Sequence, residues 1–206
     1  MADELVDIFD EHMTLIGQEM KSKAHREGLW HKCFHCWIVK KPNKIWFQLR
    51  GKDKEVFPDM LDISAAGHLG AGEAPEDGVR ESEEEISLTI NPADLQKSFI
   101  FPEVLVFKNK NMYIREFYVT YLYETEKELR DLKMQPEEVD GVFEADINEV
   151  YDLFFGKATE IKVVGLVRND DKSYSEETRV VGIKDFAPHE EEYYRKVFVA
   201  AREILK

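Results

Sequence analysis

The order of apolar and polar positions along the chain predicts many strands and few helices. Segments that alternate apolar with polar residues, or that are rich in aromatic and β-branched residues, are typical of strands. Such segments cover residues 4–9, 15–18, 30–39, 44–50, 112–124 and 141–146, with shorter extended pieces in 61–65 and 89–107. A turn at Pro42 and Asn43 pairs two of these strands as a hairpin, and Pro92 and Pro102 are expected to interrupt the pieces of 89–107.

Three segments carry the features of helices. Residues 75–86 begin with proline and continue with good helix formers, and residues 147–155 are amphipathic. From Glu190 a terminal helix is predicted to place five apolar residues on one face: Tyr194, Val197, Phe198, Ala201 and Leu205. The polar residues 169–178 are expected to form a surface excursion. Mixed strands with a few helices predict the α/β (α+β) class, with a mixed sheet inside an α/β/α sandwich.

Length and composition indicate one folded domain. The chain has 206 residues, of which 43% are hydrophobic, enough for a substantial core. We expect a single domain with an N-terminal strand extension over about residues 1–28 and a C-terminal helix over about residues 188–206.

The charge and the termini restrict the partners and the compartment. A formal net charge of -14 argues against nucleic acid or an anionic membrane as the main partner. The first residues are acidic, no apolar stretch has the length of a membrane span, and only two cysteines are present, so we expect a cytoplasmic protein. The sequence is compatible with a monomer or a homodimer.

The two cysteines form a C-x-x-C pair, Cys33 and Cys36, with His35 between them. Such a pair can bind zinc or act in redox chemistry, but no second pair completes a structural zinc site. The surrounding residues are typical of a buried strand, on which small apolar cysteines pack. We therefore predict that both cysteines, and His35, have a structural role.

An acidic segment near residue 80 carries the clearest candidate chemistry. On a helix over residues 75–86, Glu81, Glu84 and Glu85 share one face. Like charges so placed repel each other unless a cation lies among them, and carboxylates suit Mg²⁺ or Mn²⁺, which in turn suit a substrate with phosphates. The alternative is a solvated acidic helix face.

The wider pattern around these glutamates resembles the signature of the Nudix hydrolases. That signature has glycine, five residues, glutamate, seven residues, Arg-Glu, an apolar residue, any residue, Glu-Glu, any residue, glycine and an apolar residue. Seven positions match: Gly67, Glu73, Arg80, Glu81, Glu84, Glu85 and Leu88. Three features depart from it, since only six residues separate Glu73 from Arg80, and Ser82 and Ser87 replace an apolar residue and a glycine.

The resemblance implies a Nudix-like sandwich and a metal-dependent hydrolase. The expected substrate is a nucleoside diphosphate derivative or another organic diphosphate, cleaved at its diphosphate linkage. Glu81, Glu84 and Glu85 would hold Mg²⁺ (or Mn²⁺), while Arg80 would pair with Glu73 and brace the loop that contains Gly67. The catalytic base stays open among Glu84, Glu85, Glu116 and a carboxylate of the loop 135–138.

Residues outside the signature resemble the branch of isopentenyl-diphosphate isomerases and their hydrolase relatives, over roughly residues 4–150. In that isomerase, histidines and two strand glutamates hold a metal. His25, His31, His68 and Glu116 fall at matching places, and Ile114 replaces the second glutamate. These residues are therefore a possible second metal site, although His25 could equally lie at the surface or cap a helix, and His31 could be a hydrogen-bonded residue at a strand edge.

The isomerase reaction itself meets an obstacle at Ala66. The resemblance requires a cysteine immediately before the Gly-His of the loop, and alanine can neither donate nor accept a proton. Hydrolysis is therefore preferred, with isomerisation and a catalytically silent ligand-binding module as the alternatives. Arg50, Lys54 and His68 are the candidates for contacting substrate phosphates.

Overall fold

The computed structural model describes residues 3–206 and contains four helices and eleven strands within them. The helices are α1 Lys21–Glu27, α2 Val79–Ile86, α3 Ile147–Phe154 and α4 Glu191–Ile204. The strands are β1 Leu5–Phe9, β2 Leu15–Met20, β3 Trp30–Lys40, β4 Lys44–Arg50, β5 Leu61–Asp62, β6 Ala65–His68, β7 Gln96–Phe107, β8 Met112–Glu124, β9 Val139–Asp146, β10 Ile161–Arg168 and β11 Tyr174–Val181. Each strand predicted from alternation is present.

Strand β3 is the centre of one mixed sheet. Along one side it pairs in parallel with β8, from Trp30 opposite Arg115 to Val39 opposite Glu124, and β7 pairs antiparallel with β8. Along its other side β3 meets β1, β6 and β4 in turn, and β9, β10 and β11 continue the sheet beyond β4. The ends of β3, β6 and β8 therefore lie side by side.

Helices cover both faces of this sheet. Cys33 and Trp37 of β3 belong to a core that α3 and α4 complete, whereas Phe34, Cys36 and Ile38 point to the other face and pack with Ile86 of α2. Alternate residues of a strand point to opposite faces, so one strand supplies both cores. The two cysteines are buried and unpaired, which confirms their prediction as packed strand residues.

The terminal helix α4 is held by its apolar stripe. Tyr194, Val197, Phe198 and Ala201 are buried against the sheet, as predicted. Burying large side chains of this kind contributes roughly 2 kcal/mol each. Leu205 follows the last residue of α4 and is partly buried against the same core.

Several predictions of local structure were wrong. Helix α1 was missed, because only Ala24 of it is buried and the segment shows no apolar periodicity; Gly28 ends it in the left-handed conformation (φ 64). The predicted helix 75–86 is two elements, a 3-10 turn over Pro75–Gly78 and then α2. The segment 169–178 is largely at the surface, as predicted, but residues 174–178 of it lie in strand β11.

Pro102 also does not interrupt its strand. It lies within β7 opposite Phe117, and among residues 3–206 β7 pairs with β8 alone. An edge strand has one side on which a backbone N–H is not needed, so proline is tolerated there.

The predicted division into one domain with an N-terminal extension over about residues 1–28 stays a prediction; Met1 and Ala2 lie outside the described residues. No helix within residues 3–206 is long and apolar enough to cross a membrane.

Candidate active site

The acidic segment forms a loop and a helix that fold back on strand β6. Glu73 accepts hydrogen bonds from Gly70 N (2.7 Å) and Arg80 Nε (3.2 Å), and Arg80 Nη2 also donates to the carbonyl of His68 (2.8 Å). These bonds tie the start of α2 to the end of β6. Glu73 and Arg80 therefore fix where the following glutamates lie.

Two of the three candidate glutamates face the sheet. The Glu85 carboxylate is buried and accepts a hydrogen bond from Ala66 N (3.1 Å). Glu81 lies so close to Gly67 that a Cβ added there would fall 2.1 Å from its carboxyl carbon. Glu84 points outward, with 57% of its side chain exposed and its carboxylate 3.8 Å from Arg80.

Burial makes the charges of the two inward glutamates costly. It raises the pKa of Glu85 to about 8, with the neighbouring charge of Glu81 adding to the effect. It also raises the pKa of Glu81 to about 7, where Arg80 opposes the shift and Glu84 and Glu4 reinforce it. A cation at this place would favour the ionised forms of both groups.

A tighter group of potential ligands lies at the ends of β3, β6 and β8. It consists of one residue from each of four elements: His25 of α1, His31 of β3, His68 of β6 and Glu116 of β8. Their ligand atoms all lie within 4.8 Å of one another, and no other group of three or more in residues 3–206 does so. Glu81, Glu84 and Glu85 thus do not converge as closely.

The geometry of this group aims its nitrogens inward. The Nε2 atom of His25 lies 3.2 Å from those of His31 and His68, and the Glu116 carboxylate lies 3.2 Å from His31 Nε2 and 3.0 Å from His68 Nε2. His31 Nδ1 donates to the carbonyl of Leu29 (2.9 Å), which orients its ring. Three nitrogens and one carboxylate oxygen fit a divalent transition metal such as Mn²⁺ or Zn²⁺.

The electrostatics of the group follow from its burial and its bonds. Burial lowers the pKa of His68 to about 4, against the pull of Glu116, and the charge of Lys21 adds to the lowering. Burial of Glu116 opposes its charge, but hydrogen bonds from the three imidazoles hold its pKa well below the usual range. Metal ligation would require each histidine to present an unprotonated ring nitrogen and Glu116 to be ionised.

The two cationic residues expected to meet phosphates are already paired with carboxylates. Arg50 Nη1 lies 2.9 Å from Asp62, and Lys54 forms an ion pair with Glu138. Glu138 belongs to the loop whose Gln135 N donates to the Glu85 carbonyl (2.8 Å), so this pair lies beside α2. Lys21, which sequence reasoning did not select, is the cation that acts on His68.

Sequence reasoning also missed a second buried ionic cluster. His189 Nδ1 lies 2.6 Å from Glu103, and its Nε2 lies 3.1 Å from Asp62. His35, predicted to be packed, lies beside this cluster, stacked on Tyr118 with ring centroids 3.9 Å apart and hydrogen-bonded to the Tyr193 hydroxyl at 2.7 Å. No local pattern marks these residues, because they come from separate strands and from the segment before α4.

The charge of His189 stabilises the protein, and this stabilisation is lost at alkaline pH. Burial opposes its charge, but the hydrogen bonds and charges of Asp62 and Glu103 raise its pKa from 6.5 to about 9. A histidine with a raised pKa contributes its full stabilisation below about pH 6.5 and loses it as pH rises through about 9. For this shift the contribution to the free energy of unfolding is about 3 kcal/mol. We expect His189→Gln to lower the free energy of unfolding by about that amount at pH 6.

Urea unfolding of both proteins between pH 6 and 10 checks this, since the difference between them should shrink through that window. An equal difference at every pH would contradict the electrostatic origin. The histidine and the tyrosines packed around His189 do not titrate in this window. Burial lowers the pKa of His35 to about 3, and it raises the pKa of three tyrosines well above 10: Tyr118, Tyr193 and Tyr194.

Comparison with known proteins gives a relative along nearly the whole chain and others along about half of it. An uncharacterized Nudix hydrolase from Clostridium acetobutylicum is 35% identical over 204 residues, covering 97% of this chain and 98% of that protein. An isopentenyl-diphosphate Delta-isomerase from Paenarthrobacter aurescens is 28% identical over 96 residues, 46% of this chain and 52% of the isomerase. No family model matches the chain.

The fold has solved counterparts. A hypothetical Nudix protein from Deinococcus radiodurans superposes with a TM-score of 0.55 at 20% identity, over 74% of this chain and 90% of that one. This likeness confirms the predicted α+β sandwich with its mixed sheet.

Proposed function

Because the chain belongs to the Nudix hydrolase family, we propose that it is a metal-dependent hydrolase of a diphosphate linkage. Its substrate is a nucleoside diphosphate derivative or another small organic diphosphate. The observation that carries the proposal is the burial of Glu81 and Glu85 beside each other at Gly67 and Ala66. Two such carboxylates disfavour each other's charge, and a divalent cation relieves the conflict.

In this proposal Glu81, Glu84 and Glu85 are the residues that would hold Mg²⁺ or Mn²⁺. When bound, the ion neutralises developing charge and lowers the pKa of a water. Arg50 and Lys54 would orient the diphosphate by exchanging their carboxylate partners for phosphate, and His68 would either contact the diphosphate or bind the second metal. Such positioning and charge stabilisation account for most of the catalysis of phosphoryl transfer.

The group of His25, His31, His68 and Glu116 is proposed as a second metal site. It lies next to the first, because His68 directly follows Gly67, over which Glu81 packs. Glu116 is the only carboxylate in this group, and Ile114 cannot add another. With Glu84 and Glu85 it stays among the candidates for the catalytic base.

Membership of the isomerase-like branch is the finer part of the proposal. The four residues of the second metal site support it, as does the partial match to an isomerase. Ala66 still argues against isomerase activity, since its side chain cannot transfer a proton. A catalytically silent binding module is the other alternative, and the retention of Arg80 with all three glutamates argues against it.

A panel of nucleotide and isoprenoid diphosphates tests the function. Purified protein with Mg²⁺ or Mn²⁺ should release phosphate or a nucleotide monophosphate from at least one compound, and chelation should stop the release. Deuterium incorporation into isopentenyl diphosphate from deuterated water would instead identify an isomerase. Calorimetry with Mn²⁺ and a non-hydrolysable diphosphate, showing binding without turnover of any compound, would identify a silent binder.

Glu138 is a further candidate for the base, in the loop 135–138. Its carboxylate pairs with Lys54 beside Glu85, and the loop is fixed by Gln135 N donating to the Glu85 carbonyl (2.8 Å). We expect Glu138→Gln to lower kcat about a hundredfold or more, with little change in KM.

The matched control is Glu137→Gln, because Glu137 is its exposed neighbour. Full activity of Glu138→Gln would exclude Glu138 and leave the base to Glu84, Glu85 or Glu116. A rise in KM at constant kcat would show instead that Glu138 serves only to place Lys54.

A further inference from the structure

Two buried glutamates lie directly opposite each other beside the second metal site. Glu103 of β7 and Glu116 of β8 are paired in the antiparallel register, and both are buried. Paired residues of neighbouring strands point to the same face, with Cβ atoms about 5 Å apart. A glutamate side chain can span that distance, so Glu103 has the reach to join the ligands of Glu116.

The two carboxylates nevertheless turn to different partners. The Glu116 carboxylate faces Nε2 of His31 (3.2 Å) and of His68 (3.0 Å), whereas Glu103 accepts hydrogen bonds from His189 Nδ1 (2.6 Å) and Glu190 N (2.6 Å). Both contacts of Glu103 come from the segment that leads into α4. Glu103 is therefore held on the side of the terminal helix.

His189 is a charged partner for Glu103. Both of its ring nitrogens face carboxylates, Glu103 at one edge and Asp62 at the other, so both donate hydrogen bonds. The charge of Asp62 is balanced in addition by Arg50 at 2.9 Å. Without His189, a buried carboxylate would lie uncompensated across the strand from Glu116, which is costly unless it finds another cation.

We propose that His189 is a positioning residue for the metal site, which holds Glu103 toward α4 and outside the ligand set of Glu116 and the three histidines. This inference rests on the proposed metal role of that group. Because Ile114 replaces the second strand glutamate, the ligand set keeps one carboxylate only as long as Glu103 stays with His189. The ligand number, and with it the net charge at the metal, thus depends on a residue of the C-terminal segment.

Calorimetric titration with Mn²⁺ alone tests this with four proteins: wild type, His189→Gln, Glu103→Gln and the double variant. His189→Gln releases the Glu103 carboxylate, so Mn²⁺ should bind about tenfold tighter. Glu103→Gln leaves the positive His189 beside Asp62, so Mn²⁺ should bind about tenfold more weakly. The double variant should return to within about threefold of wild type, since both charges are gone.

The opposite signs separate charge from damage to the fold, since mere loss of packing would weaken binding in every variant. Weakening in both single variants, or a double variant worse than either, would overturn the inference while leaving the metal site in place. Wild type that binds no Mn²⁺ would overturn the metal assignment and this inference with it.

Glu144→Gln is the charge control, because Glu144 is a partly exposed glutamate of β9 that pairs with Trp46 of β4, outside the site. If His189→Gln does not fold, Glu103→Gln decides alone, since unchanged or tighter Mn²⁺ binding in that variant contradicts the proposal. Thermal unfolding of each protein identifies that case.

Discussion

Glu85→Gln is expected to lower kcat of diphosphate hydrolysis about a thousandfold while the free energy of unfolding stays constant or rises. Glutamine keeps the shape of the side chain and can still accept the hydrogen bond that Ala66 N donates to Glu85. It removes a charge that burial and Glu81 both disfavour, since they raise the pKa of Glu85 to about 8. Loss of that charge removes an unfavourable electrostatic energy from the apoprotein, and it deprives the cation of a ligand.

Steady-state kinetics with saturating Mg²⁺, together with urea unfolding, measure the two effects separately. Glu83→Gln is the matched control, because Glu83 lies on the same helix, is exposed and bonds to Thr89 instead of facing the sheet. Activity within about tenfold of wild type in Glu85→Gln would refute its role as a metal ligand. A marked loss of stability would show that Glu85 is a structural carboxylate.

Gly67→Ala is expected to reduce kcat/KM about a hundredfold, because it displaces the carboxylate of Glu81. The new Cβ would lie 2.1 Å from the carboxyl carbon of Glu81 and 2.2 Å from one of its oxygens. The end of a glutamate side chain can move away, so the loss of stability should be only about 1 kcal/mol. The change therefore separates the position of a ligand from the integrity of the fold.

Calorimetric titration with Mg²⁺ and the kinetics of hydrolysis measure this effect. Gly17→Ala is the control, since its Cβ would meet nothing closer than Ile8 at 3.8 Å. Normal kinetics in Gly67→Ala would mean that the position of Glu81 is not needed for catalysis. Unfolding of Gly67→Ala at ambient temperature would mean that this contact supports the fold itself.

The strands could be predicted because their pattern is local. The residues of Met112–Glu124 alternate in exposure at the start of β8 and are buried on both faces farther along the strand. The predicted bounds of this strand are the observed ones. Helix α1 could not be predicted in this way, because Ala24 is its one buried residue and the segment has no apolar periodicity. A short helix of this kind depends on tertiary contacts and leaves no periodic pattern in the sequence.

The site was predictable in its parts and not in its arrangement. The spacing of Glu81 and Glu85 already places them on one face of α2, and the resemblance selects Gly67 as part of the same motif. Which carboxylate points outward, as Glu84 does, depends on packing that spacing does not encode. The histidines of the second metal site were selected by resemblance alone, and their common location required the sheet.

The cluster around His189 had no signal in the sequence. Its histidine lies 86 residues from Glu103 and 127 residues from Asp62, and each of the three is an ordinary polar residue in its own segment. Only the closure of the terminal helix over the sheet buries them together. Because buried charges must be paired, the cluster can be recognised once the fold shows which charges are buried together.

Strand β7 has a consequence for the behaviour of the protein in concentrated solution. This edge strand carries three exposed apolar residues, Ile100, Val104 and Val106. An exposed apolar edge strand of this length is a template to which further chains can add as they aggregate. Pro102 lies between Ile100 and Val104 and has no N–H to donate to an added strand. The ring of Pro102 therefore divides this edge into two shorter stretches, and we expect that to disfavour the addition of further strands.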